Sequence, residues 1–494
     1  MGKIITVSII GCGARGGIAY GQYINELKDK YRIVSLCDVN PLRLNKFGDM
    51  FDVPQENRFL EEGEFWKEKR SDLLLVCTLD RLHVAMAEKG LKLGYDLLLE
   101  KPISDDPSEL RNLLSVAKES GRRVAVCHVL RYTAMMRKLK KLLDEGAIGQ
   151  LISVDHTENV VFWHEAHSYV RGNWHSKEET TSMIMAKCCH DFDMLQYFIG
   201  SRCKSVSSMG DLRYFKKENA PEGCADRCSQ CKYENTCVYS ARRIYIEQWK
   251  NVGCPESEFP FNLVSDAYPT TEEALEKAVK ESRYGKCVFK CDNDVGDNQT
   301  TIMQFENGVT ATLKMEAFVK YGGRDIRFFG TEGELELCED RNIIILKKYF
   351  GEDTVWKISE LVDELGGQGT GAHGGGDHRM IDNLYTILTS QNESTETSLE
   401  KSLESHYMAI AAEESRMKGG DLLELVKFRK LLFKENYDEK ISNFSYLCDY
   451  FAEYGFFHGG LFSVGIGYER GRGEIQHYRS RSERGRRTGV DDTL

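Results

Sequence analysis

Short apolar runs alternate with longer amphipathic segments over the first 130 residues of the chain. The runs are four to seven residues long and end at polar or turn-forming residues, which is typical of strands buried in a parallel sheet. Leu82–Leu93 and Pro107–Ser120 carry apolar residues at helical spacing and predict two of the intervening helices. This alternation predicts a doubly wound α/β domain over residues 1–130. Its predicted strands are Ile4–Ile10, Ile33–Asp38, Asp72–Cys77, Asp96–Leu99 and Arg123–Cys127.

After Gly149 the pattern changes to longer runs in which apolar and polar residues alternate. Such runs predict a second α/β domain, residues 131–432, built on an open, mostly antiparallel sheet. Asn307-Gly308 lies between two of the runs and predicts a hairpin, while residues 377–390 and 399–418 predict two closing helices. The predicted strands of this sheet include Leu151–Thr157, Thr300–Phe305, Val309–Met315 and Asp325–Phe329.

Two segments depart from these patterns. Residues 212–297 have little periodicity and many cysteines, so we interpret them as an insertion in the second domain. Residues 433–494 change in character again and predict a disordered tail: Tyr454–Tyr468 is rich in aromatic residues and Gly, and Glu469–Arg487 is dense in Arg, Gly and Ser. A nucleic-acid or partner-binding arm is the alternative, but acidic residues interleave with the arginines.

The composition narrows the functional classes. A formal net charge of −11 over 494 residues gives no reason to expect a nucleic-acid or membrane-surface partner. No apolar stretch reaches the length of a membrane span, and the N-terminus does not resemble a secretory signal. Sixteen cysteines without such a signal are expected to be reduced thiols or metal ligands, which favours a cytoplasmic location.

The first predicted strand runs directly into a glycine-rich turn with the spacing G-x-G-x-x-G. Such a turn between a strand and a helix lets backbone N–H groups approach a pyrophosphate at the positive end of the helix. The second predicted strand ends in Asp38, whose carboxylate suits the ribose hydroxyls of NAD and repels the 2′-phosphate of NADP. NAD is therefore the expected cofactor, bound around Gly11, Gly13, Ala14, Arg15, Gly16 and Asp38.

Further polar clusters follow the ends of later strands, where a doubly wound sheet places its ligand crevice. Glu100-Lys101-Pro102 follows a strand, and a lysine there can hold a substrate hydroxyl near nicotinamide. His190 begins a predicted helix and has the ordinary pKa best suited to acid–base chemistry near neutrality, with Asp193 placed to orient its ring. The remaining cofactor candidates at these strand ends are Thr78, Asp80, His83, Glu100 and Lys101.

Together and in this order, these motifs resemble the glucose–fructose oxidoreductase and inositol dehydrogenase (Gfo/Idh/MocA) family, over about residues 3–430. The resemblance implies a Rossmann domain followed by an α/β domain that supports the substrate and often an oligomer contact, so a homo-oligomer is expected. It also implies hydride transfer between nicotinamide and a carbinol carbon, with Lys101 and His190 handling the proton. One departure stands out: family dehydrogenases commonly carry Asp four residues before the histidine, where this chain has Ala186 followed by Lys187.

Aromatic, His and Arg residues concentrate between the two domains. Aromatic faces stack on the C–H surfaces of sugars, and His and Arg donate hydrogen bonds to hydroxyl groups. The segment predicts a site for a small polyhydroxylated substrate; the alternative is a surface loop with scattered histidines. The substrate candidates are Trp163, His164, His167, Arg171, Trp174 and Asp193.

Four cysteines within the insertion, Cys224, Cys228, Cys231 and Cys237, have the spacing C-x3-C-x2-C-x5-C. Four thiolates so close in sequence suit a tetrahedral structural zinc. An iron–sulfur cluster and free thiols are the alternatives.

These observations favour an NAD-dependent oxidoreductase acting on a CH–OH group of a sugar, cyclitol or glycoside. A redox-assisted glycosidase of the same family, which recycles its bound cofactor, is the alternative enzyme. A non-catalytic NAD-binding regulator is a third class, and the presence of both Lys101 and His190 argues against it.

Overall fold

The first sheet of the protein is fully parallel. A computed structural model describes residues 3–265, 267–364, 372–390 and 395–430. Its first sheet contains β1 (Ile5–Ile10), β2 (Tyr31–Cys37), β3 (Arg58–Phe59), β4 (Leu73–Val76), β5 (Asp96–Leu99) and β6 (Val124–Val126). The spatial order is β3-β2-β1-β4-β5-β6, which places the turn after β1 at the centre of the sheet. The five predicted strands are confirmed; β3 is two residues long and carries too little periodicity to be predicted.

Helices connect these strands on both faces of the sheet. A π-helical turn, Ala14–Gly21, leads into α1 (Gln22–Glu26), and the later helices are α2 (Pro41–Met50), α3 (Glu62–Phe65), α4 (His83–Lys92) and α5 (Pro107–Ser120). The predicted helices Leu82–Leu93 and Pro107–Ser120 match α4 and α5. This Rossmann arrangement directs the turns after β1, β2, β4 and β5 to one edge of the sheet.

The second sheet has nine strands and is antiparallel except at one pair. It comprises β7 (Leu151–Val161), β8 (Cys203–Asp211), β9 (Asn298–Phe305), β10 (Thr310–Val319), β11 (Gly323–Gly330), β12 (Gly333–Cys338), β13 (Ile343–Lys348), β14 (Thr354–Lys357) and β15 (Leu423–Glu424). Its order is β14-β13-β12-β11-β7-β10-β9-β8-β15, and only β7 and β10 pair in parallel among the described strands. Asn307-Gly308 joins β9 to β10, with Gly308 at φ +89, so the predicted hairpin and the mostly antiparallel sheet are confirmed.

The remaining helices precede, connect or follow the strands of the second sheet. They are α6 (Ala134–Asp144), α7 (Phe162–His164), α8 (Met183–Ala186), α9 (Cys189–Ile199), α10 (Gln248–Asn251), α11 (Phe261–Val264), α12 (Glu272–Glu281), α13 (Ile358–Glu364), α14 (Gly376–Thr389), α15 (Leu399–Met417) and α16 (Leu425–Lys430). The two predicted closing helices match α14 and α15. No helix in the described ranges is both long and apolar enough to cross a bilayer.

Helix α14 packs against the first sheet although it follows the second in sequence. Met380, Ile381 and Leu384 join the apolar core around β1 and β2. The Tyr31 hydroxyl donates to the Ile381 carbonyl at 2.8 Å. The chain thus returns to the Rossmann domain after β14 and before β15 of the second sheet, and carries residues from its C-terminal part to the central cleft.

Residues 212–297 connect β8 to β9, and their described residues add no strand to either sheet. They nevertheless enclose a core of their own, which includes Phe215, Tyr245, Trp249 and Phe261. The predicted tail, residues 433–494, lies outside the described part of the chain.

Candidate active site

Two glycines of the turn after β1, Gly11 and Gly16, lie close against neighbouring backbone, whereas the third, Gly13, lies beside open space. Gly11 has φ +90, and a Cβ there would lie 2.4 Å from the Cys77 carbonyl oxygen. A Cβ on Gly16 would lie 2.1 Å from the Gly11 carbonyl oxygen. Above Gly13 no heavy atom lies within 4 Å of the Cβ position. The turn therefore offers backbone N–H groups and free space to a ligand at the N-terminus of Ala14–Gly21.

Polar groups at neighbouring strand ends surround this space. Asp38 directly follows β2, and its carboxylate accepts the Cys12 N–H at 2.6 Å and the Asn40 N–H at 2.8 Å. These bonds fix the carboxylate beside the glycine turn. Thr78, after β4, has a buried hydroxyl with no hydrogen-bond partner among the described residues. An orphaned hydroxyl at this edge fits a polar ligand that completes its hydrogen bonding.

The insertion reaches the glycine turn, which sequence analysis did not predict. One small cavity is lined by Gly13, Ala14 and Lys46 on the Rossmann side and by Ser257 and Tyr268 of the insertion. The Lys46 ammonium lies 3.5 Å from the centroid of the Tyr268 ring, and burial lowers the pKa of Lys46. A dinucleotide on the turn would meet the insertion at this cavity.

Arg15 links two buried carboxylates below the turn. Its Nε donates to Glu100 Oε1 at 2.7 Å, and its Nη2 donates to Asp377 Oδ1 at 2.6 Å. Glu100 also accepts the Tyr20 hydroxyl at 2.7 Å. Burial by itself raises a carboxyl pKa, but the Arg15 guanidinium holds the pKa of both acids below the usual range. Arg15 thus connects Glu100, which directly follows β5, to Asp377 in the first turn of α14.

His83 and Asp80 fasten the turn after β4 to its surroundings. The His83 ring nitrogens lie 2.7 Å from the Pro102 carbonyl oxygen and 3.0 Å from the Thr78 carbonyl oxygen. Asp80 is buried and accepts the Trp174 indole N–H at 3.2 Å. Burial raises the pKa of Asp80, although the nearby His83 and Lys101 oppose the rise. The predicted cofactor candidate Asp80 therefore contacts the predicted substrate candidate Trp174.

Lys101 and His190 lie on the same side of this cleft. The Lys101 Nζ donates to the Ala186 carbonyl oxygen at 3.0 Å, at the end of α8. His190 is buried in the first turn of α9, and burial together with the Lys101 charge lowers its pKa well below 6.5. A neutral imidazole next to an ammonium is an arrangement that can accept a proton from a hydroxyl while the ammonium holds its oxygen.

The expectation that Asp193 orients the His190 ring is wrong. Both carboxylate oxygens of Asp193 accept hydrogen bonds from Arg131, each at 2.7 Å. His190 Nδ1 is buried without a hydrogen-bond partner in the described part of the chain. The His190 ring lies instead 5.7 Å from that of His128 and 6.1 Å from that of His373, measured between centroids.

A buried charge network supports the start of α9 from the second sheet. Arg324 on β11 donates a hydrogen bond from Nε to Asp191 at 2.8 Å, and its Nη2 forms an ion pair with Glu158 on β7 at 2.9 Å. His156 lies 2.9 Å from Asp191, and Lys187 lies 3.1 Å from Glu158. Because these five side chains join two strands to α9, the second sheet determines where His190 lies.

The predicted substrate residues between 163 and 171 fall into two groups: Trp163 and His164 are half-buried, whereas His167 and Arg171 are fully buried. His164 is half-buried, and burial together with the charges of Lys187 and Lys101 lowers its pKa. Trp163 packs on His164, with ring centroids 5.9 Å apart. His167 is buried against Tyr284, at 4.9 Å between ring centroids, and burial lowers its pKa to about 3. Arg171 is buried inside the insertion.

The four predicted zinc ligands line one cavity in the insertion, together with Cys287. Their sulfur atoms are not gathered at single-ion spacing. Among the described residues, only Asp325, Cys338 and Asp340 form a group of three or more donor atoms within 4.8 Å of one another. Asp325 and Asp340 are exposed, and exposed carboxylates are commonly close without a metal.

Sequence analysis missed several residues of the cleft. Asp377, His373, His128 and Arg131 come from the C-terminal part or from the end of β6, and Arg324 lies on a distant strand. Only the glycine-rich segment before Asp377 carried a local signal, because glycines permit close backbone approach. The others are brought in by tertiary packing.

Comparison with known proteins agrees with this architecture. The chain matches the oxidoreductase family model for the NAD-binding Rossmann fold over residues 5–128, and the model for its C-terminal alpha/beta domain over residues 140–422. It is 23% identical over 402 residues to YteT of Bacillus subtilis, a protein named as an oxidoreductase, with 76% of this chain and 88% of that protein covered.

Two solved structures share the fold. An oxidoreductase from Agrobacterium radiobacter, in complex with NAD+, L-tartaric acid and magnesium, matches with TM-score 0.60 and 16% identity, over 86% of this chain and 99% of that one. The WlbA dehydrogenase from Bordetella pertussis, in complex with NADH and UDP-GlcNAcA, matches with TM-score 0.60 and 17% identity, over 85% and 98%. With both domain models matched in order over most of its length, the chain belongs to the Gfo/Idh/MocA family of NAD-binding oxidoreductases.

Proposed function

We propose that this protein transfers hydride between NAD and a CH–OH group of a sugar, cyclitol or glycoside. The observation that carries the proposal is that Lys101 follows β5 at the edge of the first sheet that also holds the glycine turn, bonded to Ala186 just before α9, with its charge acting on His190. The ligands named for the two solved relatives, tartaric acid and UDP-GlcNAcA, both carry secondary hydroxyl groups. Both observations support a carbinol carbon as the reacting centre.

The residues at the strand ends fit a dinucleotide. The open space above Gly13 would admit the pyrophosphate, Asp38 would accept the ribose hydroxyls, and the orphaned Thr78 hydroxyl would gain a partner. The Asp38 carboxylate also favours NAD over NADP, since a 2′-phosphate would place like charges together. A bound NAD would supply the acceptor for the hydride that leaves the carbinol carbon, and NADH would be the donor in the reverse direction.

In the oxidation direction the O–H bond of the substrate breaks, and its proton goes to the imidazole of His190. The lowered pKa keeps this imidazole neutral and able to accept a proton near pH 7. The Lys101 ammonium, which lies on the Ala186 carbonyl oxygen, would hold the substrate oxygen as negative charge develops on it. Ala186 stands where family dehydrogenases commonly carry Asp. The proton transfer proposed here uses His190 and Lys101, so it does not require a carboxylate at that position.

Trp163, His164 and Trp174 are the residues that we propose for the substrate side of the cleft. Trp174 is held on Asp80, and His164 is within electrostatic range of Lys101. Asp193, His167 and Arg171 make their contacts inside the protein, so we leave them out of this group.

The first experiment is to release and identify the cofactor of the purified protein, and then to follow NADH formation with a panel of sugars, cyclitols and glycosides. Steady NADH formation with one class of polyol is the expected result. Aglycone release from a glycoside with no net NADH would overturn the proposal in favour of the redox-assisted glycosidase.

Two variants test the assigned roles. His190→Ala and Lys101→Met should each lower kcat by about a hundredfold or more, as expected for loss of acid–base or charge stabilisation, while the Kd for NAD changes little. His378→Ala is the matched control, because it removes an imidazole that stacks on Tyr23 at 3.8 Å between ring centroids. Loss of NAD binding equal to the loss of kcat in His190→Ala would show that His190 is structural.

A further inference from the structure

Five cysteines of the insertion surround one cavity. Cys224, Cys228, Cys231 and Cys237 line it from one segment, and Cys287 joins them from beyond α12. The fifth cysteine is brought in by backbone pairing: Arg227 and Lys286 form an antiparallel bridge, and the Cys287 N–H donates to the Asp226 carbonyl at 2.8 Å. No disulfide joins any of these cysteines. The fold thus gathers reduced thiols from two distant segments at one place.

The same cavity is lined by a buried arginine that has no acidic partner. Arg171 is 1% exposed, and its Nε and Nη2 donate to the carbonyl oxygens of Lys286 and Tyr239 at 2.8 and 2.7 Å. Its Nη2 also lies 3.5 Å from Cys228 Sγ, while its Nη1 has no partner in the described ranges. Within those ranges the guanidinium forms no ion pair with a carboxylate, and the titratable groups closest to it are Tyr245, Cys228 and Cys291.

A buried cation without a counter-charge is unfavourable even when carbonyl oxygens accept its hydrogen bonds, and neutral thiols do not supply that charge. A metal ion deprotonates the thiols that bind it. Four thiolates around a divalent ion leave two net negative charges, which would offset the Arg171 guanidinium. The buried arginine therefore points to an anionic group in this cavity, and the cysteines that line it can form one.

We propose that this cavity binds one metal centre through cysteine thiolates, with Arg171 as its buried counter-charge. Zinc and an iron–sulfur cluster share this ligand chemistry. A single zinc requires sulfur atoms about 3.8 Å apart, so the cysteine side chains must close in around it, whereas a polynuclear cluster fits more widely spaced sulfurs. This site is independent of the proposed hydride transfer, because none of its residues is assigned to the cofactor or to the reacting hydroxyl.

The test measures metal and acid-labile sulfide in the full chain, purified both in air and without oxygen. One zinc per chain without sulfide identifies a zinc centre, and iron with equal sulfide and visible absorption identifies a cluster. Cys228→Ser and Cys287→Ser should each lose most of the metal. Cys254→Ser is the matched control, because Cys254 is exposed and does not line the cavity.

Arg171→Gln should retain less metal than the wild type when both face the same chelator, because the counter-charge is gone. A metal content far below one per chain in both preparations, or equal metal in Cys228→Ser and Cys254→Ser, would overturn the proposal. If the cysteine variants do not fold, cobalt titration of chelator-treated wild type decides the question. Thiolate-to-cobalt absorption that saturates at one equivalent supports the site. Its absence, in protein that also holds no iron and sulfide as purified without oxygen, refutes the site.

Discussion

Replacing Arg15 by methionine should destabilise the folded protein strongly, because it leaves two buried carboxylates without their counter-charge. Glu100 and Asp377 have side chains that are 5% and 1% exposed, and each lies within 2.7 Å of an Arg15 nitrogen. Removing one partner of a buried ion pair typically costs about 3–5 kcal/mol. Since the Arg15 side chain is 28% exposed, we expect about 3 kcal/mol, the lower end of that range.

The assay is equilibrium urea unfolding of Arg15→Met and of two comparison proteins. Lys28→Met breaks the exposed pair with Asp52 and should change the free energy of unfolding by less than about 0.5 kcal/mol. The triple variant Arg15→Met, Glu100→Gln, Asp377→Asn removes the stranded charges and should recover most of the lost stability. A loss that persists unchanged in the triple variant would mean that packing, not charge, explains the effect.

The pH dependence gives a second criterion. In the wild type the pKa values of Glu100 and Asp377 are held below the usual carboxyl range. The two carboxylates therefore contribute to the free energy of unfolding above the ordinary carboxyl pKa, and this contribution is lost as the pH falls through their lowered pKa values. In Arg15→Met, burial without the guanidinium raises these pKa values, and protonation then relieves the folded state as the pH falls. The stability gap between the two proteins should therefore narrow from pH 7 to about pH 5. A gap of constant size would refute the reasoning.

Three further predictions follow from individual positions. Burial lowers the pKa of His128 from 6.5 to about 4, so this imidazole alone should remove about 3 kcal/mol of wild-type stability as the pH drops through that interval. His128→Gln should make the fall in stability shallower by that amount, and parallel slopes would contradict the assignment. Asp38→Asn should raise the affinity for NADP relative to NAD at least about tenfold in fluorescence titrations, and an unchanged ratio would mean that the carboxylate does not repel the 2′-phosphate. Gly11→Ala should lower the free energy of unfolding by more than about 2 kcal/mol, since its Cβ meets the Cys77 carbonyl oxygen at 2.4 Å. Gly13→Ala should preserve stability and weaken NAD binding, and equal unfolding energies for the two glycine variants would be inconsistent with the geometry.

The sequence by itself determined the first sheet, the glycine turn and the order of the catalytic candidates. Four of the six strands of that sheet (β1, β4, β5 and β6) consist mainly of buried Ile, Val, Leu and Ala, and Gly11 and Gly16 occupy positions where any side chain would collide with backbone. These features depend on neighbours in sequence, so periodicity and local sterics suffice to predict them. The hairpin at Asn307-Gly308 was predictable for the same reason.

Only the tertiary structure decided which distant residues complete each site. Asp377 reaches Arg15 because α14 returns to the first sheet, and Asp193 pairs with Arg131 rather than with the nearby His190. Cys287 joins the other cysteines through a backbone bridge that no spacing rule describes. A buried charge is stabilised by whichever opposite charge or donor the packing brings within about 3 Å, and separation along the chain does not set that distance.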